Sequence, residues 1–218
     1  LLDLLRDMGA DIVRLKKGVY RITIPRGFKT EFSPAIAKRL RSSVVLTGPI
    51  LARYGKVLFP YPGGCLIGAR PINLFIDGFQ RMGAQVTFKD ATYHIEAKNG
   101  LRGAELFLKN QSVTVTETFM MAGVLARGTT TIKNAAMEPE IIDLAQFLVA
   151  CGAKISGAGT PTIVVKGGTL LRGAGHTYKT MPDRIDAGSF LILGALLAQE
   201  LHIENCNPGH LEAPLELL

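Results

Sequence analysis

Phe79-Gln80-Arg81-Met82-Gly83-Ala84-Gln85-Val86 occurs in this chain in three versions. Leu5-Arg6-Asp7-Met8-Gly9-Ala10-Asp11-Ile12 is the earliest, and Phe147-Leu148-Val149-Ala150-Cys151-Gly152-Ala153-Lys154-Ile155 the latest. In each, an amphipathic stretch runs into Gly-Ala, and an alternating strand follows after a short polar turn. Those strands are Val19-Tyr20-Arg21-Ile22-Thr23-Ile24, Thr92-Tyr93-His94-Ile95-Glu96 and Thr162-Ile163-Val164-Val165. Glycine directly after the last apolar helix position is the expected left-handed C-cap. The three glycines recur at about 70 residues, too long for a solenoid repeat and suited to a small α/β lobe. Strands and helices alternate within the repeats, so the fold class is α/β (α+β).

A second echo pairs Ala122-Gly123-Val124-Leu125-Ala126-Arg127-Gly128-Thr129-Thr130-Thr131-Ile132-Lys133-Asn134 with Leu193-Gly194-Ala195-Leu196-Leu197-Ala198-Gln199-Glu200-Leu201-His202-Ile203-Glu204-Asn205. The second copy stops at Leu218 before its Gly-Ala, and the chain opens inside a helix. The sequence therefore reads as an internal fragment of a longer protein. Helix starts are marked along it. Ser33-Pro34 is an N-cap followed by proline at the first helical position. Thr114-Val115-Thr116-Glu117 fits a capping box for a helix to about Arg127. Pro139 can open a helix over 140–150. Pro71 can open another, in which Ile72, Phe75, Ile76, Phe79 and Met82 form a buried stripe.

Composition bounds the rest. Of 218 residues, 47% are apolar and 20% charged, and 24 are glycine. A chain of this size buries roughly 70% of its unfolded surface, so disorder, collagen and disulfide scaffolds are excluded. No apolar run reaches the roughly 20 residues of a membrane-spanning helix, and no charged-then-apolar leader pattern is present. Cys65, Cys151 and Cys206 are odd in number and far apart, which fits reduced thiols in a cytosol. The net charge of +7 favours anionic partners. Nucleic acid is not the expected one: there is no Trp and no basic stretch interleaved with aromatics.

The chemistry concentrates in Pro62-Gly63-Gly64-Cys65-Leu66-Ile67-Gly68-Ala69-Arg70-Pro71, after a strand over Lys56–Pro60. Its glycines leave room for a ligand to approach the backbone. Arg70 stands at a helix start, where free N–H groups and the dipole already favour an anion. A guanidinium adds bidentate contacts to phosphate or carboxylate there. The same positive surroundings would lower the Cys65 thiol pKa and make it a usable acid or nucleophile. Cys151, on an apolar helix end, reads as a small core residue, and Cys206 as a turn-adjacent thiol. His94 alternates on a strand and faces solvent. His202 and His210 have no partner in range, and His176 lies in a Gly-rich loop, so no metal site is expected. The basic helix Lys38-Arg39-Leu40-Arg41-Ser42-Ser43 is either a solvated face or, through Arg41, a ligand contact.

Pro62-Gly63-Gly64-Cys65-x-Ile67-Gly68-x-Arg70-Pro71 resembles the loop of the UDP-N-acetylglucosamine enolpyruvyl (1-carboxyvinyl) transferases of peptidoglycan synthesis. The resemblance extends over the whole chain. It includes Arg41-Ser42-Ser43, Gly48-Pro49-Ile50-Leu51-Ala52-Arg53-Tyr54-Gly55, Asn134-Ala135-Ala136-x-Glu138-Pro139-Glu140-Ile141, Gly152-Ala153-Lys154-Ile155-Ser156-Gly157 and Pro182-Asp183-Arg184-Ile185. In this order and at these spacings the motifs are specific. The resemblance implies six βαβαββ units forming an inside-out α/β barrel of two domains, with the active site in the cleft. Residues 1–181 would belong to the cysteine-loop domain, and residues 182–218 to the crossover and the start of the second.

It further implies the reaction. The sugar 3-hydroxyl adds to C2 of phosphoenolpyruvate while C3 is protonated, and phosphate is then eliminated. Cys65 would be the proton donor and the site of a covalent adduct, Arg70 the phosphate clamp, and Arg41 a contact to both substrates' anionic groups. Pro71, Ile72, Asn73 and Leu74, facing Asn110, Ser112 and Val113, would hold uridine and diphosphate, with Glu138 near the amino-sugar side. No cofactor, metal, nucleic acid or membrane is implied. The partners are the two small-molecule substrates and the remaining segments of the same protein, without which the fragment is expected to be inactive. Two departures stand out. Asn73-Leu74-Phe75 replaces the family's Asp then Leu-His, keeping the hydrogen-bonding shape and losing the charge, and Ser112-Val113-Thr114 replaces Ser-Val-Gly. Two alternatives remain: a non-catalytic nucleotide-sugar-binding paralogue, and the sister enzyme making 5-enolpyruvylshikimate 3-phosphate, which lacks the cysteine loop.

Overall fold

Elements follow one another as α1 (Leu2–Asp7), β1 (Asp11–Lys16), β2 (Val19–Thr23), α2 (Pro34–Ala37), a 3-10 helix (Arg41–Leu46), α3 (Thr47–Tyr54), β3 (Lys56–Pro60) and α4 (Asn73–Arg81). Then come β4 (Gln85–Lys89), β5 (Thr92–Glu96), β6 (Glu105–Phe107), α5 (Val113–Leu125), β7 (Thr129–Lys133), α6 (Pro139–Ala150), β8 (Lys154–Ser156) and β9 (Thr162–Lys166). The chain closes with α7 (Arg184–Leu197), a second 3-10 turn (Pro208–His210) and α8 (Glu212–Leu217). The structure, a computed structural model, describes residues 1–61, 63, 72–173, 175 and 177–218. Pro71, which the sequence makes the opening residue of α4, lies outside them, as do Cys65, Arg70 and His176.

The three Gly-Ala sites adopt one geometry. Gly9, Gly83 and Gly152 have φ of +98°, +90° and +102°. After α1, Gly9 N–H donates to Arg6 O at 2.9 Å and Ala10 N–H to Leu5 O at 2.8 Å. Gly83 to Gln80 and Ala84 to Phe79 repeat the pair after α4, and Gly152 to Val149 and Ala153 to Leu148 repeat it after α6. These paired bonds satisfy carbonyls that the helix leaves over, and only glycine takes the left-handed position without a Cβ penalty.

The last repeat is a complete βαβαββ unit, β6-α5-β7-α6-β8-β9, folded into a sheet of order β6-β7-β9-β8. Strand β6 runs parallel to β7, and the other pairs are antiparallel. Register sets Thr130 opposite Val165 and Ile132 opposite Ile163, and all four are buried. In the preceding repeat β3, β5 and β4 form an antiparallel sheet in that order. The place of its first strand is held by a single parallel bridge, Glu31 to Leu58. Strands β1 and β2 form a hairpin by themselves.

Helix α5 is the hub. Eight of its 13 residues are buried, and it packs against α3, α4, α6, the first 3-10 helix, β7 and β9. Close approach depends on missing side chains. A Cβ on Gly48 of α3 would strike the Thr118 carbonyl, and one on Gly78 of α4 would enter the Phe119 ring. The stripe expected on α4 is present, with Ile72, Phe75, Phe79 and Met82 buried and Ile76 packed at the edge of the core.

The chain divides into two compact units, Leu1–His176 and Thr177–Leu218. In the second, Asp183 caps α7, its Oδ1 accepting from Ile185 N–H at 2.9 Å and Asp186 N–H at 3.1 Å. The echo between 122–134 and 193–205 holds for the helix halves and for the final asparagines, since Asn134 and Asn205 both have left-handed φ, +55° and +51°. It fails between them: residues 201–205 form no strand. A strand needs a neighbour for its N–H and C=O groups, and the described residues of this unit offer none.

Three local expectations are corrected. Helix α5 starts at Val113 with Ser112 as its cap, so Thr114 and Glu117 form no capping box; the Ser112 hydroxyl accepts from Val115 N–H at 3.4 Å. No basic helix spans 38–43. Helix α2 ends at Ala37, and the chain re-enters helical geometry at Arg41 as a 3-10 helix, whose buried Ser43 and Val44 turn inward. Cys151 is half-buried at the α6 C-cap instead of in the core, because the chain reverses there through Gly152.

Candidate functional site

Every described residue assigned to substrate lies at or just ahead of a helix start. Ile72 caps α4, with Asn73 and Leu74 in its first turn. Asn110 leads into Ser112 and Val113, the cap and first residue of α5. Glu138 caps α6, and Arg41 begins the 3-10 helix. Free N–H groups and the positive end of the dipole collect at such ends, favouring anions.

Hydrogen bonds tie two of these ends together. Asn134 Nδ2 donates to Leu108 O at 2.8 Å, and Gln111 Nε2 to Ala135 O at 3.3 Å. Ala136 N–H donates to Thr116 Oγ1 at 3.1 Å, while the same hydroxyl donates to Ser112 O at 2.9 Å. The approach to Glu138 is thereby fixed against the first turn of α5. The left-handed backbone of Asn134 turns its amide back onto the β6 exit, which explains an asparagine there. On the other side, the backbone at Gly63 abuts the Lys38 carbonyl so closely that a Cβ would overlap it. The foot of the cysteine loop thus meets the segment that leads to half-buried Arg41. Cys65, Arg70 and Pro71 themselves lie outside the described residues.

Ser112 and Glu138 are half-buried, whereas Asn73 and Asn110 are exposed. The structure adds Glu117, one helical turn beyond Val113. It is the single charge on an otherwise uncharged helix, and it is half-buried. Burial first, and then the nearby Glu140 carboxylate, push its carboxyl above the ordinary value. A lone acid inside such a helix was visible in the sequence, but its match to a capping-box position hid it. Two histidines have local partners that sequence reading missed. His202 Nε2 lies 3.9 Å from Glu204 and His210 Nε2 3.0 Å from Asn207 Nδ2, each pair two or three residues apart in the chain. His94 is half-buried between strands instead of facing solvent. Cys206 points its thiol at Ile203 O, 3.6 Å away.

A family model described as EPSP synthase (3-phosphoshikimate 1-carboxyvinyltransferase) matches residues 1–218. The chain belongs to the EPSP synthase family. Within that family, curated relatives from Shewanella piezotolerans and Shewanella pealeana are 42% identical over 218 residues, 99% of this chain. Both are named UDP-N-acetylglucosamine 1-carboxyvinyltransferase. The chain spans about half of their length, 51%. Among solved structures, the enolpyruvyl transferase NikO from Streptomyces tendae superposes with a TM-score of 0.69 at 20% identity. That match covers 91% of this chain and 47% of NikO, and it speaks for the fold. An EPSP synthase from Acinetobacter baumannii gives 0.63 at 25% identity, covering 89% of this chain and 43% of its own. The repeated α/β architecture is therefore that of the EPSP synthase family. Among the described residues, no helix is long and apolar enough to cross a membrane.

Proposed function

We propose that the full-length protein transfers the enolpyruvyl group of phosphoenolpyruvate to the 3-hydroxyl of UDP-N-acetylglucosamine, releasing phosphate. This is the first committed step of peptidoglycan precursor synthesis, carried out in the cytoplasm. The observation that carries the reading is the 42% identity, over the whole chain, to relatives bearing that name. Solved EPSP synthases stand at 25% and 24%, and the Gly-Gly-Cys loop also speaks against the shikimate substrate.

In this reading the sugar hydroxyl loses its proton to a general base as its oxygen bonds to C2, while Cys65 gives its own proton to C3 and is left as the thiolate. Phosphate then leaves from C2, and loss of a C3 proton restores the double bond. Arg70 clamps the phosphate, and Arg41 meets the substrates' anionic groups. Ile72, Asn73 and Leu74 with Asn110, Ser112 and Val113 hold the nucleotide, and Glu138 stands by the amino sugar. The helix ends described above support these assignments, because fixed positive charge stabilises an anionic, oxocarbenium-like transition state. Residues 182–218 begin the second domain in the same reading.

The test is phosphate release from phosphoenolpyruvate by the full-length protein, with UDP-N-acetylglucosamine or shikimate 3-phosphate as acceptor, beside Cys65→Ala. Release only with the nucleotide sugar, lost in the variant, is expected. A folded protein that binds the nucleotide sugar and releases no phosphate would overturn transfer in favour of a binding paralogue, which Asn73 and Phe75 already suggest as second reading.

A further inference from the structure

After β9, residues 167–173 form no helix or strand, and the first of them are pinned to the end of α5. Gly167 N–H donates to Gly128 O at 2.9 Å and Gly168 N–H to Val124 O at 3.0 Å. A Cβ on Gly167 would collide with the Gly123 and Ala126 carbonyls, so this anchorage demands glycine. Residues 168–172 then pass over three adjoining cavities of about 120, 540 and 200 Å³, with Leu171 lining all three. The last is apolar, walled by Met121, Leu125, Leu148 and Leu170. The first is more polar, and Lys154, Lys166 and Thr169 line it. Val124 is shared between these two.

Charge is the unusual feature. Among the described residues, Arg53, Lys154, Lys166 and Arg172 border the three cavities, and no carboxylate does. Lys154 and Lys166 are also direct cross-strand partners on β8 and β9. Like charges placed opposite each other weaken a strand pair, and here both face one cavity. A bound anion would turn that repulsion into two attractive, charge-assisted contacts. The neighbouring apolar space would shelter a hydrocarbon body, the usual combination in a small-molecule site.

We infer that these cavities form a binding site for a small amphipathic organic carboxylate. Its head lies between Lys154 and Lys166 beside Thr169, and its short hydrocarbon body rests on Leu171, Val124 and Leu125. None of the described residues assigned to substrate lines these cavities, and the inference does not depend on that assignment.

Hexanoate, hexanol and acetate, titrated calorimetrically into the full-length protein, test this. Hexanoate should bind, with acetate and hexanol each weaker by at least about tenfold, since each lacks one half of the contact. Lys154→Gln/Lys166→Gln should weaken hexanoate by a similar factor while raising the thermal midpoint of the free protein. The milder Leu171→Ala should weaken hexanoate and leave acetate unchanged. Equal binding of hexanoate and hexanol, hexanoate affinity untouched in the double lysine variant, or no hexanoate binding at millimolar concentration would each overturn the site.

Discussion

Glu117 and Thr130 both place a polar group where the fold supplies little for it. The Thr130 hydroxyl is fully buried without a hydrogen-bond partner, close to Gly123 and Val165. Removing an unsatisfied buried hydroxyl relieves its desolvation, so Thr130→Val should raise the unfolding free energy by about 1 kcal/mol. Urea titration measures it, and a loss of stability would mean that the hydroxyl is bonded. Glu117 has a pH signature. Its folded-state carboxyl is raised, by burial and then by Glu140, so the folded state holds the proton more tightly than the unfolded one. Below the ordinary value of 4.5 both states are protonated and nothing is lost. As pH climbs through that value and on through the raised one, the unfolded state ionises first and stability declines. Glu117→Gln should match the wild type in acid and surpass it at neutral pH; parallel urea midpoints across the range would refute this. Neither effect is legible from residue type alone. A threonine on a strand and a glutamate three residues after a threonine fit common local patterns, and only the neighbours reveal the cost.

At the scale of elements, caps and turns were the most legible features. Gly9, Gly83 and Gly152 end their helices as the repeat implies, because the Schellman bonds depend on local backbone alone. Starts were less secure. Ser112 and Thr114 are both good caps, and the choice fell to Ser112 once Thr116 was tied to Ala136 across the α5–α6 connection. Ser112→Ala should therefore cost about 1 kcal/mol, whereas Thr114→Ala should cost less, a comparison thermal unfolding can make. Helix packing gives a sharper case. Gly78→Ala improves helix propensity, yet its methyl would enter the Phe119 ring. Overpacking should win, destabilising the protein by about 1–3 kcal/mol, and Phe119→Leu in the same chain should recover part of the loss. Independent, additive losses would show that the two do not touch.

Across the whole molecule, burial is uneven. Helix α5 is surrounded, while α7 buries only Ala187 and Gly194 and leaves Leu196 and Leu197 more than 70% exposed. Amide exchange in this 218-residue chain should accordingly be much faster along α7 than along α5, and equal protection would contradict the burial pattern. The sequence by itself determined the repeat, the glycine caps, the alternation of strands and helices, and the motifs that resemble those of the enolpyruvyl transferases. These are local signals: a period, a cap or a spacing is written in adjacent residues and survives without long-range information. Tertiary structure alone decided which helix is the hub, which strand positions pair, where the ends of α5 and α6 are tied together, and that Lys154 faces Lys166. Those outcomes depend on contacts between residues distant in the chain, whose energies follow from shared burial and desolvation and not from either residue's own preference.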